Sequence, residues 1–122
     1  MARLTKYQRF ISEPMSGKKI SEVPGIGNET AKKFESVGIT KAIQLYLLYK
    51  IKKMNDRVFI NFLINYVGMS SRYAIQCTKS LSEYDKCHED NEELDHEFRE
   101  FVPQVRKIWR QFYFYFDFFY IF

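Results

Sequence analysis

Apolar residues recur at helical spacing through the first two-thirds of the chain. Tyr7, Phe10 and Ile11 fall on one face of a predicted helix over residues 6–12. Glu13-Pro14 should stop it, because the residue before a proline is pushed out of the α region. Gly17-Lys18-Lys19 reads as a loop. A short turn over 22–24, capped by Ser21, leads into Gly25-Ile26-Gly27. A second helix is predicted over 28–36, with Gly38 as its C-terminal stop. Thr40 caps a third over 41–50. It is apolar nearly all round, from Ala42 to Tyr49, so it belongs in the middle of a core or at an interface. Asn55-Asp56 opens a fourth over 57–67, with Val58, Phe59, Phe62, Leu63 and Tyr66 on one stripe, ended by Gly68. Ser70-Ser71 caps a fifth from 72 onward, carrying Ala74, Ile75, Cys77, Leu81 and Tyr84. Strand signals are weak through residue 110, and the reading is all-α.

The candidate chemistry lies in Pro24-Gly25-Ile26-Gly27-Asn28-Glu29-Thr30-Ala31-Lys32-Lys33. Two glycines around one apolar residue, then a small residue and paired lysines, form the pattern of a helix-hairpin-helix. Gly25 and Gly27 can both take the positive φ that other residues avoid. A tight turn there aims the backbone amides of residues 25–30 outward at the start of a helix. Unpaired N–H donors and the positive end of the helix dipole suit one phosphate oxygen. Ile26, at the tip, is expected to plug the hairpin into the core. Lys32 and Lys33 add charge near the same phosphate. Such a contact reads the sugar-phosphate backbone and ignores sequence. The plainer reading of Gly-x-Gly is an ordinary turn between two helices. A second phosphate site is read at the start of the fifth helix, from the Ser71 hydroxyl, nearby amides and Arg72.

Charge sharpens the picture. The chain has 122 residues and a net charge of +4, but residues 1–79 hold 14 Lys/Arg against five acids, +9, while residues 80–122 carry −5. A basic half of this size is an electrostatic footprint for nucleic acid, or else a solvated basic face. The N-terminal nine residues lack the apolar core of a secretory signal. Both cysteines, Cys77 and Cys87, are therefore read as reduced thiols of cytosol or nucleus. Cys87, His88 and His96 match no common zinc spacing, so no metal is expected. No cofactor and no small-molecule substrate are called for either. Residues 1–79 hold no clustered carboxylates and no histidine, which argues against catalysis.

Beyond residue 86 the character changes. Residues 86–100 are acidic and read as an extended helix or a disordered segment. Residues 112–122 hold nine aromatics in eleven positions, too few to span a bilayer as a helix. That end could bind a partner, pack on the domain, or lie with Trp109 in a membrane interface. The boundary is set at 1–88 for the domain that carries the hairpin, read as a DNA-binding domain, and 89–122 for the tail.

The chain resembles the barrier-to-autointegration factor family over about residues 4–88. The likeness rests on Phe10, Glu13-Pro14-Met15, Gly25-Ile26-Gly27, Lys32-Lys33, Glu35, Gly38, Lys41-Ala42, Lys53, Phe59, Leu63, Gly68, Cys77, Leu81 and Glu83. The resemblance implies a five-helix SAM-like domain containing the hairpin. It implies a symmetric homodimer that bridges two DNA duplexes in chromatin and nuclear envelope assembly. It also implies LEM-domain proteins in a groove across the dimer, and histones and lamins as further partners. Lys6, Gly25, Ile26, Gly27, Lys32, Lys33, Ser71 and Arg72 occupy the positions of the family's DNA surface. Leu47, Ile51, Lys53, Val58 and Phe62 fall at the groove and dimer face. Departures from the family pattern are Leu47 for glycine, Ile75 for arginine and Tyr84 for tryptophan, with the N-terminal phosphorylation cluster absent. The location implied is nucleus and cytoplasm. The competing reading is an adaptor that pairs with a related subunit or a LEM-domain protein without holding DNA.

Overall fold

The computed structural model describes residues 4–51 and 55–88, with single positions at Arg99, Pro103 and Lys107. Among these residues the order is α1 (Lys6–Ser12), a 3-10 turn (Ile20–Glu22), α2 (Asn28–Ser36), α3 (Ala42–Ile51), α4 (Asp56–Phe62) and α5 (Ser71–Cys87). The expected all-α, five-helix architecture is present, and the predicted tail lies outside the described residues apart from those three positions.

Local chemistry explains most boundaries. Thr5 and Gln8 form a capping box on α1: Thr5 Oγ1 accepts from the Gln8 amide at 3.1 Å, and Gln8 Oε1 accepts from the Thr5 amide at 2.9 Å. Asn55 caps α4 and Ser70 caps α5. The fourth helix differs from its prediction. It winds as an α-helix only to Phe62 and loosens into a π-helical turn at Leu63–Val67, before Gly68 ends it at φ 86°. The first arm of the hairpin also differs. Its turn is Ile20–Glu22, two residues earlier than expected, because Glu22 Oε2 reaches back to the Lys19 amide at 2.6 Å. Ser21 lies inside that turn and does not cap it.

The core forms around α3, where every residue from Ala42 to Leu48 is buried. An antiparallel bridge between Lys19 and Lys41 ties the 3-10 turn to the start of α3. Tyr84 is the hub that joins α5 to the rest. Its ring packs at 5.5 Å from Phe10, 5.3 Å from Tyr46 and 4.1 Å from His88, and its hydroxyl accepts from the Met15 amide at 2.9 Å. Asp85, beside it, accepts from the Tyr46 hydroxyl and pairs with Lys50 at 2.7 Å. Burial would raise the Asp85 pKa, but the hydrogen bonds from Lys50 and Tyr46 outweigh it and hold the carboxyl below its ordinary value. This packing fixes α5 against α1 and α3, and so fixes the first turn of α5 beside the hairpin.

Candidate nucleic-acid interface

The hairpin is built so that its last amides are left over. Val23 and Ile26 are fully buried, which anchors both sides of the bend. Gly25 takes φ 89°, and a Cβ there would stand 2.5 Å from the Tyr73 carbonyl oxygen and 3.2 Å from the Cys77 amide nitrogen. The bend therefore lies directly on the α5 backbone, at a distance only glycine permits. Gly27 corrects the expectation of positive φ. Its backbone is ordinary, φ −93° and ψ −172°, and a Cβ there would meet nothing within 4 Å. Nothing inside the protein requires a glycine at 27, whereas a ligand approaching the backbone would.

The amide inventory is specific. Ile26 N–H donates to the Val23 carbonyl at 3.1 Å, so this amide drops out of the expected outward set. The first bond of α2 runs from Ala31 N–H to the Gly27 carbonyl at 2.9 Å. Within the described residues, the amides of Gly27, Asn28, Glu29 and Thr30 have no acceptor. Side chains cap α1, α4 and α5, but a glycine N-cap leaves α2 without one. Four uncapped donors at the positive end of a helix are chemically suited to an anion.

Lys6 closes the arrangement from α1. Its Nζ donates to the Ile26 carbonyl at 2.7 Å, so it braces the hairpin and brings its charge beside the free amides. Burial pulls its ammonium below the ordinary lysine value, with Cys77 and Glu22 acting weakly in the opposite direction. Lys6, Gly25, Ile26, Gly27, Asn28, Glu29, Thr30, Tyr73 and Gln76 line one cleft of about 530 Å³. Lys32 is exposed on α2. Lys33 leans the other way: its Nζ would lie 3.2 Å from a Cβ at Gly68, just ahead of α5. At the second predicted site, Ser70 and not Ser71 is the cap, its hydroxyl accepting from Tyr73 N–H at 3.4 Å. Ser71 and Arg72 are exposed in the first turn of α5.

Sequence reading missed Tyr73 and Gln76. Both are exposed in the first turns of α5, each just ahead of an inward-facing residue, Ala74 and Cys77. The signal was the helical register of the buried residues, which leaves 73 and 76 on the hairpin side. The groove and dimer set fares differently. Leu47 and Phe62, expected at the groove and dimer face, are both fully buried in the protomer's own core. Leu47 belongs to the buried run Ala42–Leu48 of α3, and the Phe62 ring packs between Phe59 and Tyr66. Val58 is half-buried, whereas Lys53 and the side chain of Ile51 lie outside the described residues.

A glycine bend, an uncapped helix start and one bracing cation, Lys6, define a helix-hairpin-helix module. The family model for barrier to autointegration factor matches residues 1–88, and the chain belongs to that family, one of non-enzymatic DNA-binding proteins. It is 29% identical over 84 residues to barrier-to-autointegration factor 1 of Caenorhabditis elegans, covering 69% of this chain and 94% of that protein. With barrier-to-autointegration factor of Homo sapiens it shares 27% over 84 residues, again 69% and 94% of the two chains. With that of Drosophila melanogaster it shares 26% over 79 residues, 65% and 88%. No solved structure matches the chain at a significant level.

Proposed function

We propose that this protein binds double-stranded DNA by its sugar-phosphate backbone, without regard to sequence, and that a homodimer of it bridges two duplexes. The reading places it in chromatin organisation and nuclear envelope assembly, in the nucleus and cytoplasm. One observation carries it: four amides at the start of α2 lack acceptors, at a bend pressed on α5 and braced by Lys6. A phosphate oxygen seated there accepts from several N–H donors at once and lies at the positive end of α2. An anion so placed gains about 0.3–1 kcal/mol from the helix dipole alone, and up to about 2 when partly buried. Charge-assisted hydrogen bonds add to that. Lys32 and Arg72 meet flanking phosphates, and each contact steepens the salt dependence. Because every donor faces the backbone, specificity is for duplex geometry and not for bases.

The test is the molecular mass of the full chain in solution, with and without a short duplex. The reading predicts a dimer alone and, with duplex, a complex of one dimer and two duplexes. A monomer that leaves the duplex unbound at low salt contradicts it. The second reading is a dimerising adaptor for a related subunit or a LEM-domain protein. Exposed Ile75 on α5 favours it, since an apolar side chain there serves a protein partner better than a phosphate. A dimer that never shifts in mass with duplex selects the adaptor.

A further inference from the structure

The exposed side of α5 extends beyond the hairpin cleft, which takes from it only Gln76 and the neighbouring Tyr73. Arg72, Ile75, Gln76 and Lys79 follow at i, i+3, i+4 and i+7 and so share one side of the helix. All four are exposed, opposite Ala74, Cys77, Thr78 and Leu81, which are buried. Ile75 is 51% exposed and sits between two cations. Neither Arg72 nor Lys79 has an ion-pair partner among the described residues. The surface therefore reads cation, apolar, cation.

The same chain contains the complement. Residues 89–100, directly after α5, hold seven carboxylates against one arginine. Apolar residues are set among them in Glu93-Leu94-Asp95 and Glu97-Phe98, so the segment reads acid, apolar, acid. Its reach is sufficient. At 1.5 Å per residue Ile75 lies about 20 Å back along α5 from His88. Ten extended residues span up to about 33 Å, which brings Phe98 past Ile75 and lets Leu94 just reach it. Short connection length raises the local concentration of the segment to the millimolar range, on the order that weak ionic contacts need.

We propose that residues 89–100 lie along the Arg72–Ile75–Lys79 face of their own chain and withhold Arg72 from DNA. Docking on α5 stands on spacing and charge alone, whereas the competition rests on the DNA-binding reading above. A competitor that occupies the face most of the time weakens apparent affinity by the reciprocal of the free fraction.

The test compares the full-length 15N-labelled chain with a full-length variant carrying Glu92→Gln, Glu93→Gln, Asp95→Asn and Glu97→Gln. Without DNA, the amide shifts of residues 72–79 are expected to move between the two, while those of α1 and α3 stay. Superimposed spectra over 72–79 overturn the proposal. Differences that vanish on dilution overturn its assignment to the same chain. With a duplex at about 50 mM salt, the variant is expected to bind about fivefold more tightly, and the gap closes as salt screens the segment. Moving shifts with equal affinities overturn the competition. Moving shifts with no duplex binding by either chain defeat the DNA-binding reading and leave the docking in place.

Discussion

Gly25 lies so close to Tyr73 that a single added carbon would stand 2.5 Å from the Tyr73 carbonyl oxygen. This contact seats the hairpin on α5, and it separates the two glycines of the motif. Gly25 is required by the protein's own packing and by its φ of 89°. Gly27 has neither constraint.

Gly25→Ala is therefore expected to destabilise the fold by about 2 kcal/mol or more, through left-handed strain and overpacking against backbone. Gly27→Ala is expected to cost about 1 kcal/mol or less, as the loss of a permissive N-cap. It should nonetheless weaken duplex binding about tenfold, roughly one charge-assisted hydrogen bond, because its Cβ stands where the backbone is approached. Thermal melts and fluorescence anisotropy on the two variants check this split. Equal losses of stability in both would contradict it.

Lys6 and Lys32 predict a second contrast. Lys6→Met removes a charge and also the 2.7 Å tether to the Ile26 carbonyl. It should speed hydrogen exchange across the bend and weaken DNA binding by more than charge alone. Lys32→Met removes only an exposed charge, so the fold should be unchanged and the slope of log affinity against log salt should fall by about one. Exchange rates and salt titrations read the two effects separately.

The thiols report on the packing of α5. Cys77 is fully buried beside Gly25, and burial pushes its pKa up to about 12. Cys87 is exposed near the helix end. Alkylation of the native chain at mildly alkaline pH is expected to add one label, on Cys87, and denaturation should release the second site. Rapid native labelling of Cys77 would mean that the hairpin does not stay seated.

Asp85 gives the pH dependence. Its folded pKa is depressed, so its contribution to stability is fully present above the ordinary carboxylate value and is lost as pH falls through the folded value. Asp85→Asn should therefore reduce stability at neutral pH and flatten the acid limb of the stability curve. Urea titrations between about pH 3 and pH 7 measure both.

The sequence carried the helical frame because the signals were local. Pro14, Asn55, Gly68 and Ser70 act within a turn of themselves, and α1 and α2 have the predicted bounds. Ile26 was readable as a core plug because an apolar residue between glycines has nowhere else to go, and it is fully buried. The rest depended on distant contacts. That Gly25 and not Gly27 is the strained position follows from where Tyr73 and Cys77 lie, 48 and 52 residues further on. The π-helical turn after Phe62 and the burial of Leu47 and Phe62 are products of tertiary packing, to which helical periodicity is blind. Tyr73 and Gln76 emerged as cleft residues only once α5 was placed beside the hairpin.

The amides of Gly27, Asn28, Glu29 and Thr30 are the point on which the account turns. Titration of the 15N-labelled chain with a short duplex, repeated with a second duplex of unrelated sequence, observes them directly. These four signals are expected to move first and furthest, equally for both duplexes, and to return as salt is raised. Binding that leaves them in place, or movement with one sequence only, would contradict backbone capture at the hairpin.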